Sequence, residues 1–266
     1  MSKKKFAFLL GGVIIVAILG TAYAVLREPA APSSPIEAIP LALDTPTAVP
    51  MAETTVPPAT ATTEVTAEAP PDPTAEPTAE PTAEPATGLR LFQISQAESE
   101  VRFEIDEDLR GQRVTAVGRT NQVAGELAVD FNDLSATQIG IIQINARTLT
   151  TDNNFRNRAI QNQILDTAQY EFITFTPKAI DGLPEQVAIG ETISFTVTGD
   201  LTIRDITQEV TFTVTATAVS DTQIAGTAST TVLRSDYGLA IPSVPNVANV
   251  EDEVELYIEF VANATS

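Results

Sequence analysis

The chain of 266 residues contains no histidine and no cysteine. These two side chains provide most zinc ligands, most thiolate nucleophiles and the general bases that work near neutral pH. Their absence excludes Ser-His-Asp and Cys-His catalysis, disulfide bonds and attachment of a lipid to an N-terminal cysteine. Catalysis would have to use carboxylates, a lysine or an oxygen-ligated metal. We therefore expect a protein that is not an enzyme and needs no cofactor.

Basic residues are scarce, with 15 Lys and Arg against 35 Asp and Glu, for a formal net charge of −20. Nucleic-acid binding requires clustered Lys and Arg, and no such stripe is present, so we expect no nucleic-acid partner. Two acidic runs, Asp106-Glu107-Asp108 and Glu251-Asp252-Glu253, lack the alternating spacing and the glycine of a calcium-binding loop. We interpret both runs as solvated edges and predict no metal site.

The N-terminus has the pattern of a membrane anchor. Lys3, Lys4 and Lys5 precede an uncharged stretch over residues 6–26, long enough at ~1.5 Å per residue to cross ~30 Å of hydrocarbon. Ala22-Tyr23-Ala24 resembles a signal-peptide cleavage site, so a retained anchor and a cleaved signal both remain open, and the length of the stretch favours the anchor. We predict a single-pass protein of the cell membrane with the rest of the chain outside the cytoplasm, or a secreted protein if the signal is cleaved.

Residues 27–88 are rich in proline and poor in large apolar side chains. They hold 14 of the 18 prolines, and Thr-Ala-Glu-Pro occurs three times in succession over residues 74–85. Proline removes backbone donors, and the spaced carboxylates repel one another, so this composition does not favour a packed core. We predict a disordered linker that acts as a stalk, or a spacer without a role of its own.

From residue 89 onward the hydrophobic period is two, which is typical of strands with one buried face. The alternation is strictest over residues 210–216, where apolar residues and threonines take turns. Further segments fit strands: 101–105, 127–131, 138–145, 170–177, 192–203, 223–233 and 254–260. The pattern predicts an all-β domain over residues 89–266, an antiparallel sandwich or barrel, and favours a sheet curled around an apolar interior.

One short helix interrupts the strand pattern. Thr151 and Asp152 offer N-cap oxygens, and Phe155, Ala159 and Ile160 recur at helical spacing. We expect this helix either to close one end of the barrel or to pack on the outside of the sheet.

Three groups of residues occur in order along this domain. The first consists of Leu149-Thr150-Thr151, Arg156, Ala159-Ile160, Leu165, Tyr170 and Phe175. The second consists of Gly199-Asp200-Leu201-Thr202-Ile203, Thr207 and Val210. The third is Arg234-Ser235-Asp236-Tyr237-Gly238-Leu239. Each group alone is a weak signal, and their order over one domain is a stronger one.

These groups resemble the motifs of YceI-like domains, and the resemblance covers nearly all of residues 89–263. It implies a lipocalin-like antiparallel β-barrel of the bacterial envelope that binds a long isoprenoid or other lipid chain. The chain departs from the family pattern at Asn157, Glu171 and Asp205, where the family often has Asp, Pro and Gly. Asp tolerates a left-handed turn, so we expect the hairpin at Asp205 to form.

A barrel of about eight strands can hold one small ligand in its interior. A polyprenyl chain suits such a tunnel because it is flexible and wholly apolar, and its burial needs no reactive residue. The inward-facing side chains are candidates to line this site, although each of them is equally compatible with an ordinary core. The candidates are Phe103, Leu127, Val129, Ile142, Ile144, Phe175, Phe195, Val197, Phe212 and Val214, with Phe155 and Ile160 at the mouth.

Arg234 and Asp236 are the polar candidates at the rim of the barrel. Arg234 is one of two basic residues after Lys178, and it could meet a lipid head group or pair with a nearby carboxylate or strand-end carbonyls.

Three functions stay open: a membrane-tethered carrier of a long-chain lipid, a structural or adhesion module on a stalk, and a carboxylate-dependent enzyme. Sugar adhesion is disfavoured by the lack of tryptophan and by having only three tyrosines after residue 88. The sequence leaves open whether the barrel forms a homodimer.

Overall fold

A computed structural model of the chain describes residues 27–41 and 88–265. The predicted anchor over residues 6–26 and most of the predicted linker lie outside the described residues. In the described part of the chain, no helix is both long and apolar enough to span a membrane.

Antiparallel pairing joins thirteen strands in residues 88–265. Their bounds are β1 (Arg90–Ile94), β2 (Glu100–Leu109), β3 (Gln112–Thr120), β4 (Val123–Ala124), β5 (Glu126–Val129), β6 (Gln138–Ile139), β7 (Ile142–Asn145), β8 (Phe172–Asp181), β9 (Thr192–Ile203), β10 (Ile206–Ser220), β11 (Gln223–Leu233), β12 (Val247–Ala248) and β13 (Glu253–Ala264). Three short 3-10 helices cover Leu134–Ala136, Ala146–Thr148 and Arg234–Tyr237. The predicted all-β class is confirmed.

The two ends of the sheet are connected through two segments of the chain that are interrupted at glycines. The pairing order is β4-β7-β8-β9-β10-β11-β13-β1-β5-β6. Gly125 joins β4 to β5, and Gly140 lies in the short link between β6 and β7. The two ends of the pairing order therefore belong to two bent segments that run side by side, and this gives the sheet its barrel-like form. The segment 138–145, predicted as one strand, is broken at this bend.

The central strands β9 and β10 follow the alternation that the sequence predicts. Phe212 lies opposite Val197, and Val214 lies opposite Phe195; all four point to the inner face. On the outer face, hydroxyl pairs join the two strands at 2.7–3.3 Å: Thr192 with Thr217, Ser194 with Thr215, Thr198 with Thr211, and Thr202 with Thr207. Cross-strand pairs of this kind stabilise a sheet by a few tenths of a kcal/mol to about 1 kcal/mol each.

The turn between β9 and β10 consists of Arg204 and Asp205. The positive φ of this turn falls on Arg204, at 58°, so the left-handed residue is the arginine and not Asp205. The hairpin itself forms as expected.

The predicted helix is present as α1 (Asn154–Ala159), followed by one π-helical turn over Ile160–Ile164. Its N-cap is Asn153, whose side-chain oxygen accepts from the amides of Phe155 and Arg156 at 2.8 and 3.3 Å. The prediction that Thr151 or Asp152 would cap the helix is wrong, because Asn153 is the residue with the extended backbone that precedes the first turn.

Residues 27–41 form an extended segment, here named the strap, that lies against the curled sheet. The Ile36 side chain is 3% exposed, and the Gln96 side chain donates to the Ile36 carbonyl at 2.7 Å. The Leu41 amide donates to Glu126 at 2.7 Å. The composition of these residues predicts a linker, but their backbone is held by the domain. Residues 42–87 therefore connect two points of the same domain.

Candidate functional site

The interior of the curled sheet contains two neighbouring cavities. The central cavity has a volume of about 80 Å³ and the loop-side cavity about 50 Å³. The central cavity is lined by Ile94, Leu127, Ile139, Ile142, Phe175, Phe195, Val197, Phe212, Val214, Ala228, Ile258 and Phe260. The loop-side cavity is lined by Leu127, Val129, Phe131, Leu134, Thr137, Ile139, Leu183, Val187, Ile193, Phe195, Ala216, Ala218, Ile224 and Phe260.

Four side chains separate the two cavities, since Leu127, Ile139, Phe195 and Phe260 line both. Each cavity exceeds the ~10–15 Å³ that one water needs, but water also requires two or more polar partners. The lining offers almost none, so we expect both spaces to be dry. A chain of several isoprene units would need the two spaces joined by rotation of the shared side chains.

The central cavity is lined only by hydrophobic residues, and Thr137 is the single polar residue of the loop-side cavity. The Thr137 hydroxyl is buried and has no hydrogen-bond partner within the described residues. The interior can therefore hold an apolar molecule by area alone, with one hydroxyl available to a polar group at the loop side.

Eight of the twelve predicted lining residues border these cavities: Leu127, Val129, Ile142, Phe175, Phe195, Val197, Phe212 and Val214. They meet because β5, β7, β8, β9 and β10 present the same face of the sheet. The rings of Phe175 and Phe212 pack edge to face with centroids 5.0 Å apart, a favourable aromatic geometry.

The other four predicted residues lie elsewhere. Ile144 and Ile160 are buried in the core and border neither cavity. Phe103 on β2 lies over its cross-strand partner Gly118, where a Cβ would collide with the ring. Phe155, placed at the mouth by the sequence pattern, is 67% exposed. Three apolar positions in a short helix do not fix which side faces the sheet.

Several lining residues were not predicted. Ile258 and Phe260 lie on β13, and the alternation of residues 254–260 was a signal that could have found them. Leu134 comes from a three-residue 3-10 helix and Val187 from a loop, where no periodicity indicates an inward side chain.

Arg234, the polar rim candidate, is engaged with backbone carbonyls. Its guanidinium donates to the carbonyls of Glu251 and Leu239 at 2.9 and 3.0 Å. Its Nε lies 3.8 Å from Asp252, and the pKa of Asp252 is lowered mainly by the Ser235 hydroxyl, with a contribution from Arg234. The exposed Asp236 takes part through its carbonyl, which accepts from Gln208 at 2.9 Å. These contacts join the Arg234–Tyr237 turn to β10 and to the start of β13.

The two acidic runs meet around one arginine. The Arg113 guanidinium pairs with Asp106 and Asp108 at 3.7 and 3.6 Å, and it also pairs with Glu251. Within the described residues, no three acidic side chains are grouped so as to hold a metal ion. The runs are joined by Arg113 and form a salt-bridged edge.

Glu107 points away from that edge because neighbouring side chains on a strand alternate. Its carboxylate is 7% exposed and accepts from Arg156 on α1 at 2.6 Å, and Arg156 also pairs with Asp152 at 2.5 Å. Asn157, where the family often has Asp, takes no part in this ion pair. Its oxygen accepts from the amide and the hydroxyl of Thr151, both at 2.7 Å. The helix is thus attached to β2 by an ion pair.

The architecture is that of a curled antiparallel sheet with an apolar interior. The chain belongs to the family of YceI-like domains, whose model matches residues 92–262. It is similar in structure to a polyisoprenoid binding domain from Saccharophagus degradans that is implicated in plant cell wall breakdown, with a TM-score of 0.53 and 16% identity over 67% of this chain and 100% of that chain. It is also similar to BcnA from Burkholderia cenocepacia, with a TM-score of 0.51 and 20% identity over 64% of this chain and 99% of that chain. No curated protein sequence matches the chain.

Proposed function

We propose that this protein binds a long-chain lipid, such as a polyprenyl chain, in the interior of its curled sheet, and does so outside the cytoplasm. The observation that supports this most directly is the incompletely filled, almost wholly apolar interior of a YceI-like domain. The polyisoprenoid binding described for the Saccharophagus degradans domain agrees with it.

The energetics favour a wholly apolar ligand. At ~0.8 kcal/mol per buried carbon, one five-carbon unit contributes roughly 4 kcal/mol before the entropy costs of binding. A long chain can occupy both cavities only when the ring of Phe195 or Phe260 is displaced, because these side chains divide the space. Binding then needs no catalytic group, which suits a carrier without enzymatic activity.

The proposed location is supported by the sequence. The basic N-terminus and the uncharged stretch over residues 6–26 support a tether in the cell membrane with the domain on the outer side.

The test is native mass spectrometry of the full chain released from its own membranes, which should detect a co-purified lipid. Val214→Phe adds bulk to the central cavity and should remove the lipid while leaving the melting temperature nearly unchanged. The matched control is Val123→Phe, because Val123 is 0% exposed and borders neither cavity.

In the filled core around Val123 the same enlargement should lower the free energy of unfolding by about 1–3 kcal/mol. If no lipid is recovered from the wild-type chain, or if both variants lose similar stability, the interior is an ordinary core and the proposal fails.

A further inference from the structure

The strap begins at one end of the domain. The Asn162 side-chain amide, in the turn that follows α1, donates to the Arg27 carbonyl at 2.8 Å. Arg27 directly follows the uncharged stretch over residues 6–26, and neighbouring Cα atoms are ~3.8 Å apart. The residue that directly follows the predicted anchor therefore lies at the α1 end of the domain.

This attachment continues along the strap. The Arg147 guanidinium donates to the Ala31 carbonyl at 3.0 Å, and the Ser33 amide donates to Glu171 at 2.8 Å. With the contacts of Ile36 and Leu41, the domain holds the strap from its first residue to its last. Rotation about a single bond near Arg27 does not move this end of the domain far from the membrane.

The α1 end also carries a large apolar side chain that is not buried in the domain. Phe155 is 67% exposed, the largest value for a large hydrophobic residue in the described part of the chain. It lies seven residues before Asn162, roughly 10 Å along a helix axis. The helix contains two arginines; Arg156 pairs with Glu107 and Asp152, whereas Arg158 has no ion pair within the described residues. Residues 89–266 as a whole carry 11 basic and 25 acidic residues.

We propose that the α1 surface, defined by Phe155, Arg158 and the strap start at Arg27, rests on the lipid bilayer with Phe155 inserted into the interface. Aromatic and arginine side chains on one helix face are the chemistry that binds at this depth. The inference rests on the membrane tether of the proposed function, and it adds which face of the domain meets the lipid.

The opposite end of the domain holds the loop-side cavity. The α1 end adjoins the β9–β10 turn, where Arg204 donates to the Ile164 carbonyl at 3.4 Å. Ala218, which lines the loop-side cavity, lies twelve residues after Ile206, the first residue of β10, about 40 Å along the strand at ~3.3 Å per residue. With α1 on the bilayer, the loop-side cavity faces away from it.

The natural sequence has no tryptophan, so one introduced indole reports on one position. The full chain with Phe155→Trp is reconstituted into phosphatidylcholine vesicles whose acyl chains carry bromine near the head groups. The matched control is Ile189→Trp, because Ile189 is 53% exposed and its neighbour Gly190 donates to the Ala218 carbonyl at the opposite end.

We expect the indole from Phe155→Trp to be blue-shifted and to lose most of its emission to the bromine, and the indole from Ile189→Trp to be unaffected. Equal quenching, quenching only at Ile189→Trp, or a blue shift at Phe155→Trp without quenching would overturn the proposal; the last would show that protein covers the helix.

Flotation of the same vesicles separates the two levels of the argument. Chain that floats but is not quenched at Phe155→Trp contradicts the α1 surface and leaves the tether intact. Chain that does not float contradicts the tether and the α1 surface together. Neither result bears on the interior, which the lipid analysis by mass spectrometry tests on its own.

Discussion

Tyr237 has the largest completely buried side chain in the described residues, and its hydroxyl has no partner there. Burial, assisted by the charge of Asp236, raises the pKa of Tyr237 to about 12 from an ordinary value of 10.0. The folded state therefore holds this proton more tightly than the unfolded state. The resulting stabilisation is complete below pH 10 and is lost as the pH rises from about 10 to about 12.

The variant Tyr237→Phe removes the hydroxyl and keeps the ring. We expect the free energy of unfolding at pH 7 to be unchanged or to rise by about 1 kcal/mol, because a buried group without a partner is removed. The fall in stability between pH 10 and 12 should be smaller than in the wild type. Urea unfolding at pH 7 and pH 11 measures both effects, and a clear loss of stability at pH 7 would show that the hydroxyl is bonded in solution.

At the scale of elements, the strap depends on one carboxylate. Burial alone would raise the pKa of Glu171, but hydrogen bonds from Ser33 and Asn145 and the charge of Arg147 outweigh it and lower the pKa from 4.5. Arg147 lies 2.8 Å from this carboxylate and also donates to the carbonyls of Thr167 and Ala168. A carboxylate with a lowered pKa stabilises the folded state above pH 4.5, and this contribution is lost as the pH falls through the folded-state value.

We expect Glu171→Gln to weaken protection of the Ser33 amide against hydrogen exchange in the full chain. The wild type should protect this amide better than Glu171→Gln above pH 4.5, and the difference between the two should disappear as the pH falls below 4.5. Glu126→Gln serves as the control at the other end of the strap, where it should affect the Leu41 amide and spare that of Ser33. Equal losses at both amides in either variant would mean that the strap detaches as a unit.

The elements with a clear period could be predicted from the sequence. The alternation of residues 210–216 correctly indicated which side of β10 faces inward, because the outer threonines pair across strands and the inner residues pack together. The bends at Gly125 and Gly140 could not be read from a period of two. Nor could the short β1, although its Phe92 is fully buried.

The sequence does not separate the strap from the linker, because the two have similar compositions. Four prolines between residues 29 and 40 make it look like the segment that follows. The overlooked signal was the group Ile36, Ile39 and Leu41, which is more apolar than the repeats over residues 74–85. The cavities could not be predicted at all, because an inward residue has the same pattern whether it borders a space or a neighbour.

At the scale of the whole molecule, the strap decides what happens when residues 42–87 are cut. Protease applied to spheroplasts should cut this segment. The domain should nevertheless stay on the membrane, because residues 27–41 remain bound to the domain and continue into the proposed anchor. Ile36→Asp places a charge at a position that is 3% exposed and should release the nicked domain.

Ile39→Asp makes the same change in the same segment at a residue that is 37% exposed, and it should not release the domain. Fractionation of cut membranes, with the domain followed by immunoblotting, measures the difference. Complete release of the nicked wild-type domain would show that the strap does not hold it.

The docking of the strap also changes what the Thr-Ala-Glu-Pro repeats can do. In a stalk, each added repeat would raise the domain farther above the lipid. Here both neighbours of residues 42–87, Leu41 and Gly88, belong to the domain. Added repeats therefore lengthen a connection whose two ends are fixed, and each doubling of its length costs only about 0.6 kcal/mol of loop-closure entropy. In the proposed membrane-tethered arrangement, the number of repeats can therefore change without changing the distance between the domain and the lipid.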